Sequence, residues 1–412
     1  MRRPSRSMGV GVAILGALTA PWLSATSVSA QVPNGVGMAT SSDRDPSENA
    51  ILEEPAADIA LQLARLATLA EETYPTEFSY ASLAEGGSSG YIAFRDAVPA
   101  QIQLESQAIE TITFVPNLGY TSTELQEYAA ALSQSVNSDE LDNATAVTAS
   151  PRPMDGEFVV KVGPVQLEGE GVAIGADLMA DANRVQEDIN AFVQSTPPPA
   201  SFAVQVEADL ENLTEPEAED GGRTLAGTCT GAFPVKRDAG SELGVLTAGR
   251  CPGVGSYGST SNMFYPVFPS SISTSYSSAT GGDFRWNHSR YMLSGSTSLG
   301  TGGQRKFASA SNSVYGGTVC GYGKTTGHKC GSVWSVGSTA TIYVPAGNAH
   351  YTVGPLACTV NHVTDGGDSG GPWYLKGSSV ATGIHSGHYN GASCWSSVRN
   401  AMRAFGVSLW TG

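Results

Sequence analysis

The sequence predicts two dissimilar halves, an α+β half ending near residue 213 and an all-β domain over residues 224–412. Three observations carry this. Apolar residues at helical spacing are concentrated in the first half. All six cysteines lie in the second. The charge also changes sign: residues 31–223 hold 33 acidic and 7 basic side chains, a balance of −26, whereas residues 224–412 hold 5 acidic and 12 basic, a balance of +7. Folded halves of opposite charge attract.

A chain of 412 residues suggests two or three domains, and at 41% hydrophobic and 15% charged it has the means to bury sizeable cores. The first thirty residues belong to none of them. Arg2, Arg3 and Arg6 precede an apolar run from Met8 to Ala20, and Val28-Ser29-Ala30 is a small-x-small cleavage site. This predicts a secretory signal peptide over 1–30, a mature chain starting near Gln31 and an extracellular destination. The run is too short and wrongly flanked for an anchor. No later stretch approaches eighteen apolar residues, so no membrane partner is expected.

Residues 31–50 are polar and Gly-containing, and disorder is expected there. Leu52, Ile59, Leu63, Leu66 and Leu69 predict a helix over 51–73. Short strands are predicted at 91–94 and 111–115. Ser122-Thr123-Glu124-Leu125 opens a helix to about Val136, with Ser122 or Thr123 as its cap. A strand at 158–162, a helix over 176–193 and a strand at 202–206 complete a cysteine-free α+β region, 51–213. Thr214 to Gly222, reading TEPEAEDGG, predicts an exposed linker over 214–223.

Beyond the linker Gly, Ser and Thr rise and long helical periodicity vanishes. Strand candidates are Val245–Thr247, Thr318-Val319, Thr341–Val344, Trp373–Leu375 and Val380-Ala381. Many short strands in one domain mean a barrel or sandwich. Val398 to Phe405 is a candidate closing helix. An even cysteine count in an exported chain reads as three disulfides. A zinc site is the competing reading, and the lack of any Cys-x-x-Cys pair speaks against it. No metal, cofactor or nucleic acid is expected, and the chain is expected to be a monomer.

The strongest motif is Gly367-Asp368-Ser369-Gly370-Gly371-Pro372. A nucleophilic serine needs a sharp turn that exposes its Oγ and backbone N–H groups aimed at a developing oxyanion. Glycines on both sides of Ser369 permit that backbone, and the N–H groups of Gly367 and Ser369 are the natural donors.

That segment resembles the nucleophile loop of the chymotrypsin clan. The surrounding pattern is similar to the secreted bacterial branch typified by alpha-lytic protease and the streptogrisins. Cys229-Thr230-Gly231-Ala232-Phe233 resembles the family's first-strand cysteine segment, and Leu246-Thr247-Ala248-Gly249-Arg250-Cys251 its Thr-Ala-Gly-His-Cys segment. Gly282-Asp283-Phe284 resembles its aspartate strand, residues 320–330 its central disulfide loop, and Gly383-Ile384-His385-Ser386-Gly387 its substrate-pocket strand. The resemblance implies two packed six-stranded antiparallel β-barrels of trypsin/chymotrypsin type. It implies the pairs Cys229–Cys251, Cys320–Cys330 and Cys358–Cys394. It also implies a catalytic Ser369 with Asp283, a pocket that includes His385, Ser386, Gly387 and His388, and residues 51–213 as a pro-region that partners its own protease domain.

Three positions depart from the family pattern. Arg250 stands where the family has its catalytic histidine. A guanidinium is always protonated and cannot accept the serine proton. Loss of the triad histidine costs on the order of a million-fold in rate, roughly 8 kcal/mol of barrier. Gly321 follows Cys320 where the family often has a basic residue, so Asp368 needs another cation, with Lys324 the nearest candidate. Cys358 lies further ahead of Ser369 than usual, and the enlarged loop Thr359 to Gly366 carries His362, the one histidine placed to rescue the missing base. The expectation is therefore a serine endopeptidase by resemblance, impaired at Arg250, that acts on a peptide or protein. The alternative is a non-catalytic pseudoprotease that binds one. An Arg250–Asp283 ion pair is expected in place of the family's His–Asp hydrogen bond.

Overall fold

The computed structural model describes residues 54–412 apart from 108, 110, 142–144, 166–175, 210–223, 226–228, 252–254, 258–259, 267–270, 273–280, 290–292, 294, 300–302 and 345–348. The predicted signal peptide, disordered segment and linker lie outside the described residues. The described residues belong to one compact unit, Ile51–Gly412.

Helix α1, Glu54–Thr73, buries Ala60, Leu63, Ala64, Ala67 and Ala70, a stripe at helical spacing in which small residues allow close approach. It packs on strands β1, Phe78–Leu83, and β2, Gly90–Phe94, which pair antiparallel. The short helix α2, Ala100–Glu105, precedes β3, Ile112–Val115, which runs parallel to β2. This core also takes in Val314, Leu375 and Val380 from the second half.

Helix α3, Ser122–Ser135, is capped one residue earlier than the sequence suggested. Thr121 Oγ1 accepts from Glu124 N–H at 3.1 Å, and Glu124 Oε2 accepts from Thr121 N–H at 2.9 Å. This reciprocal box places the cap at the threonine three residues before the glutamate. α3 and α4, Ala176–Ser195, share a core with β4, Thr145–Arg152, β5, Glu157–Pro164, and β6, Ala203–Ala208. β4 and β5 pair antiparallel, and β6 is parallel to β5.

The free edge of β4 pairs antiparallel with the long strand Gly327–Val344, with Ala149 opposite Thr339 and Val147 opposite Thr341. One sheet therefore runs across both halves. This explains why β4 escaped the sequence reading. Its residues, TAVTASPR, are small and partly polar, yet all but the last are buried, because β5 and Gly327–Val344 flank it.

In the second half, Thr318–Gly323 pairs with both Pro372–Leu375 and Gly327–Val344. Continuing through Val380–Tyr389, Ala392–Ser397 and Ala349–Thr359, six strands hydrogen-bond in a closed ring. The other sheet of this half is an open path over the described residues. It runs from Val407–Leu409 through Pro234–Arg237, Leu243–Thr247 and Asp283–Ser289 towards Thr260–Pro266. Between the two sheets lie Phe233, Leu246, Trp286, Tyr374 and Ile384, joined by Val398 of α5, Val398–Phe405. Disulfides join Cys229 to Cys251, Cys320 to Cys330 and Cys358 to Cys394, the three pairs that the resemblance implies.

Candidate active site

The pairing of Leu243–Thr247 with Asp283–Ser289 sets Thr247 opposite Arg285. Just past that pair, the two strands deliver the turn that carries Arg250 and the buried Asp283, 1% exposed. Cys251 anchors the turn through its disulfide to Cys229.

Asp283 is held from three sides. Its Oδ1 accepts from the Arg250 backbone N–H at 3.1 Å. Its Oδ2 accepts from Arg250 Nη1 at 2.5 Å and from Ser386 Oγ at 2.9 Å. Its own N–H donates to Ser396 Oγ at 2.7 Å. The expected Arg250–Asp283 ion pair is thus present, and the Arg250 side chain is only 11% exposed. Ser396 was not singled out in the sequence, since a serine on a strand carries no local signal.

Ser369 sits in the turn before Pro372–Leu375. Gly367 and Gly370 flank it at φ 102° and 82°, a region that side chains disfavour. A Cβ on Gly370 would also collide with Thr247 Oγ1 and the Thr230 carbonyl. The loop is fastened from both sides. Thr230 N–H donates to the Ser369 carbonyl at 2.7 Å, and Gly370 N–H donates to the His385 carbonyl at 2.8 Å. Asp368 accepts from the N–H groups of Thr325 at 2.9 Å, Thr326 at 3.3 Å and Asp365 at 3.1 Å, and from Thr326 Oγ1 at 2.5 Å. The turn beside Lys324 thus supplies backbone donors, a means of holding that carboxylate that residue spacing did not suggest.

The second arm of the guanidinium, Nη2, donates to Ser369 Oγ at 2.8 Å. Asp283, Arg250 and Ser369 therefore form a continuous chain of hydrogen bonds. Ser369 is fully buried. The chain cannot relay a proton out of the serine, because its middle member has only donors.

The pocket-strand residues fall on Val380–Tyr389. His385 Nδ1 accepts from Trp373 Nε1 at 3.1 Å, an indole N–H being a donor only. Trp373 stacks on Trp395 with centroids 4.4 Å apart. The His388 ring lies 4.0 Å from that of His362 in the enlarged loop. Ser393 Oγ fixes that loop by accepting from Val363 N–H at 2.9 Å and Thr364 N–H at 3.1 Å. Among the described residues, the one grouping close enough to hold a metal ion is Cys320, His328 and Cys330, and its sulfurs are joined to each other.

No family model matches the sequence, and no curated protein matches it. Among solved structures, the chain is similar to Protease A of Thermobifida fusca at 26% identity and a TM-score of 0.37, over 48% of this chain and 98% of that one. A glutamic acid specific serine protease is similar at 25% identity and a TM-score of 0.37, over 45% of this chain and 96% of its own. A Nocardiopsis protease is similar at 24% identity and a TM-score of 0.36, over 47% and 98%.

Proposed function

We propose that residues 224–412 are an exported serine-endopeptidase-type domain whose peptide hydrolysis through Ser369 is impaired, leaving a module that binds a peptide or protein in its cleft. Its two sheets correspond in this reading to the two barrels of that architecture, and residues 51–213 are its pro-region. The observation that carries the reading is the bridge from Asp283 through Arg250 to Ser369. The loop that holds Ser369 and the buried Asp283 support this reading, in which a permanent cation stands where a proton acceptor is required. The strand addition of β4 to Gly327–Val344 and the opposite charges of the halves support the pro-region reading.

The test is a broad peptide library incubated with the full chain and with Ser369→Ala. The expected result is peptide retention by both and Ser369-dependent cleavage by neither. Cleavage that disappears in Ser369→Ala would overturn the impairment. Retention of no peptide at all would overturn the binding role. Removal of the pro-region is expected to fall to another protease, so the fragments produced on processing near Arg223 should be the same in both proteins.

A further inference from the structure

The strands Val380–Tyr389 and Ala392–Ser397 form a hairpin in which Tyr389 lies opposite Ala392. Its turn is therefore two residues long, Asn390 and Gly391, and both sit at positive φ, 48° and 77°. Asn-Gly is the pair that a two-residue turn of this kind favours. The turn accounts for the backbone of Asn390 but not for its side chain.

A polar hairpin tip ordinarily faces water. Asn390 is 4% exposed, because β4 and β5 of the first half meet it. Its Nδ2 donates to Thr148 Oγ1 at 2.8 Å and to the Lys161 carbonyl at 3.2 Å. A carbonyl only accepts, so the amide nitrogen and not the oxygen faces Lys161, and both of its protons are used. Asn390 Oδ1 faces Gly163 of β5, where an added Cβ would come within 2.3 Å of it. Two adjacent strands of the first half thus hold one side chain of the second.

The held tip ends the strand that carries the pocket residues. Next to Asn390, Tyr389 belongs to one apolar cluster with Ala146 and Val165 of the first half and Cys358 and Cys394 of the second. Tyr389 Oη lies 3.3 Å from Ser386 Oγ. Ser386 gives its one proton to Asp283 Oδ2, so the phenol is the donor. Contacts therefore run from β4 and β5 through Asn390 and Tyr389 to Ser386 and Asp283. His388, on the same strand, lies against His362 of the enlarged loop.

Resting on the binding reading above, we propose that Asn390 is a positioning residue through which the first half sets the shape of the peptide cleft. β4 and β5 grip the tip of the pocket hairpin, and the grip keeps His385–Tyr389 and the Ser386 brace on Asp283 in place. Without the two hydrogen bonds the tip is held by its turn and packing alone, and the end of the strand opens more often.

Amide hydrogen exchange resolved at single residues tests this, together with retention of a broad peptide library on the immobilised full chain. Leu243–Thr247, in the other sheet, is the internal reference. Asn390→Gly keeps the positive φ of the turn and removes the amide group. It is expected to speed exchange across His385–Tyr389 by about tenfold, with the reference unchanged, and to weaken peptide retention by a similar factor. Gly163→Ala and Thr148→Val, both in the first half, should do the same. Thr148→Ser, which keeps the hydroxyl, should match the original chain. Unchanged exchange across His385–Tyr389 in Asn390→Gly overturns the positioning role, as does a Thr148→Ser protein that behaves like Thr148→Val. Exchange that speeds equally in the reference strand also overturns it, since the change is then one of general stability. Faster exchange with undiminished retention overturns the link to the cleft. Faster exchange in a set of proteins of which none, the original included, retains a peptide supports the grip and overturns the binding reading instead.

Discussion

Arg250 Nη1 lies 2.5 Å from Asp283 Oδ2, with the carboxylate 2% exposed and the guanidinium 11%. A pair buried this deeply is weak evidence of net stabilisation, because both ions lose water. Its removal from one side is another matter. Arg250→Ala leaves Asp283 uncompensated and is expected to cost about 3–5 kcal/mol, measured by urea unfolding of the full chain. A cost below about 1 kcal/mol would mean that the pair behaves as an exposed one.

Asp368 offers a second measure of how the nucleophile loop is held. Its four described donors come from Asp365, Thr325 and Thr326. Asp368→Asn keeps the size but places an NH2 group where a carboxylate oxygen accepts. A loss of about 2–3 kcal/mol is expected, in the range of hydrogen bonds to charged groups. Raised exchange at Gly367–Gly371 should accompany it.

The joint between the halves is testable at β4. Thr148 lies opposite Ala340 on one side and Lys161 on the other. Proline there removes an N–H inside a continuous sheet, where proline is otherwise confined to edges and bulges, and is expected to destabilise the joint. Thr148→Pro should raise hydrogen exchange along Thr339–Thr341, while the closed ring around Cys320–Cys330 keeps its protection.

The disulfide Cys358–Cys394 spans 36 residues. The chain-entropy relation gives about 4 kcal/mol for a loop of that size. The double substitution Cys358→Ala, Cys394→Ala should lower stability by that order in the same unfolding assay.

Much of this was legible in the sequence, for identifiable reasons. The nucleophile loop showed itself because its backbone demands glycines at fixed places, Gly367 and Gly370. α1 showed itself by Leu63 and Leu66 at helical spacing. The Arg250–Asp283 pair followed from charge, given the resemblance of the segments around both residues. β4 was invisible because one of its two flanking strands, Gly327–Val344, lies more than a hundred residues away, and nothing local records that. Ser386, which only the resemblance marked, carries no local signal of its own, and Ser396 and the Thr325–Thr326 turn were missed for the same reason. Their roles depend on which strand lies beside them.

The central claim is that only the proton acceptor is wrong at this site, and Arg250→His tests it most directly. Asp283, already aimed at position 250 and braced by Ser386, should accept from imidazole Nδ1–H, and the other ring nitrogen should face Ser369 Oγ. Peptide hydrolysis by the substituted full chain should rise by on the order of a thousand-fold or more over the original. It should titrate at about pH 6–7 and vanish when Ser369→Ala is added. An original protein that already hydrolyses peptides through Ser369 would contradict the account, as would a well-folded Arg250→His protein that remains inert.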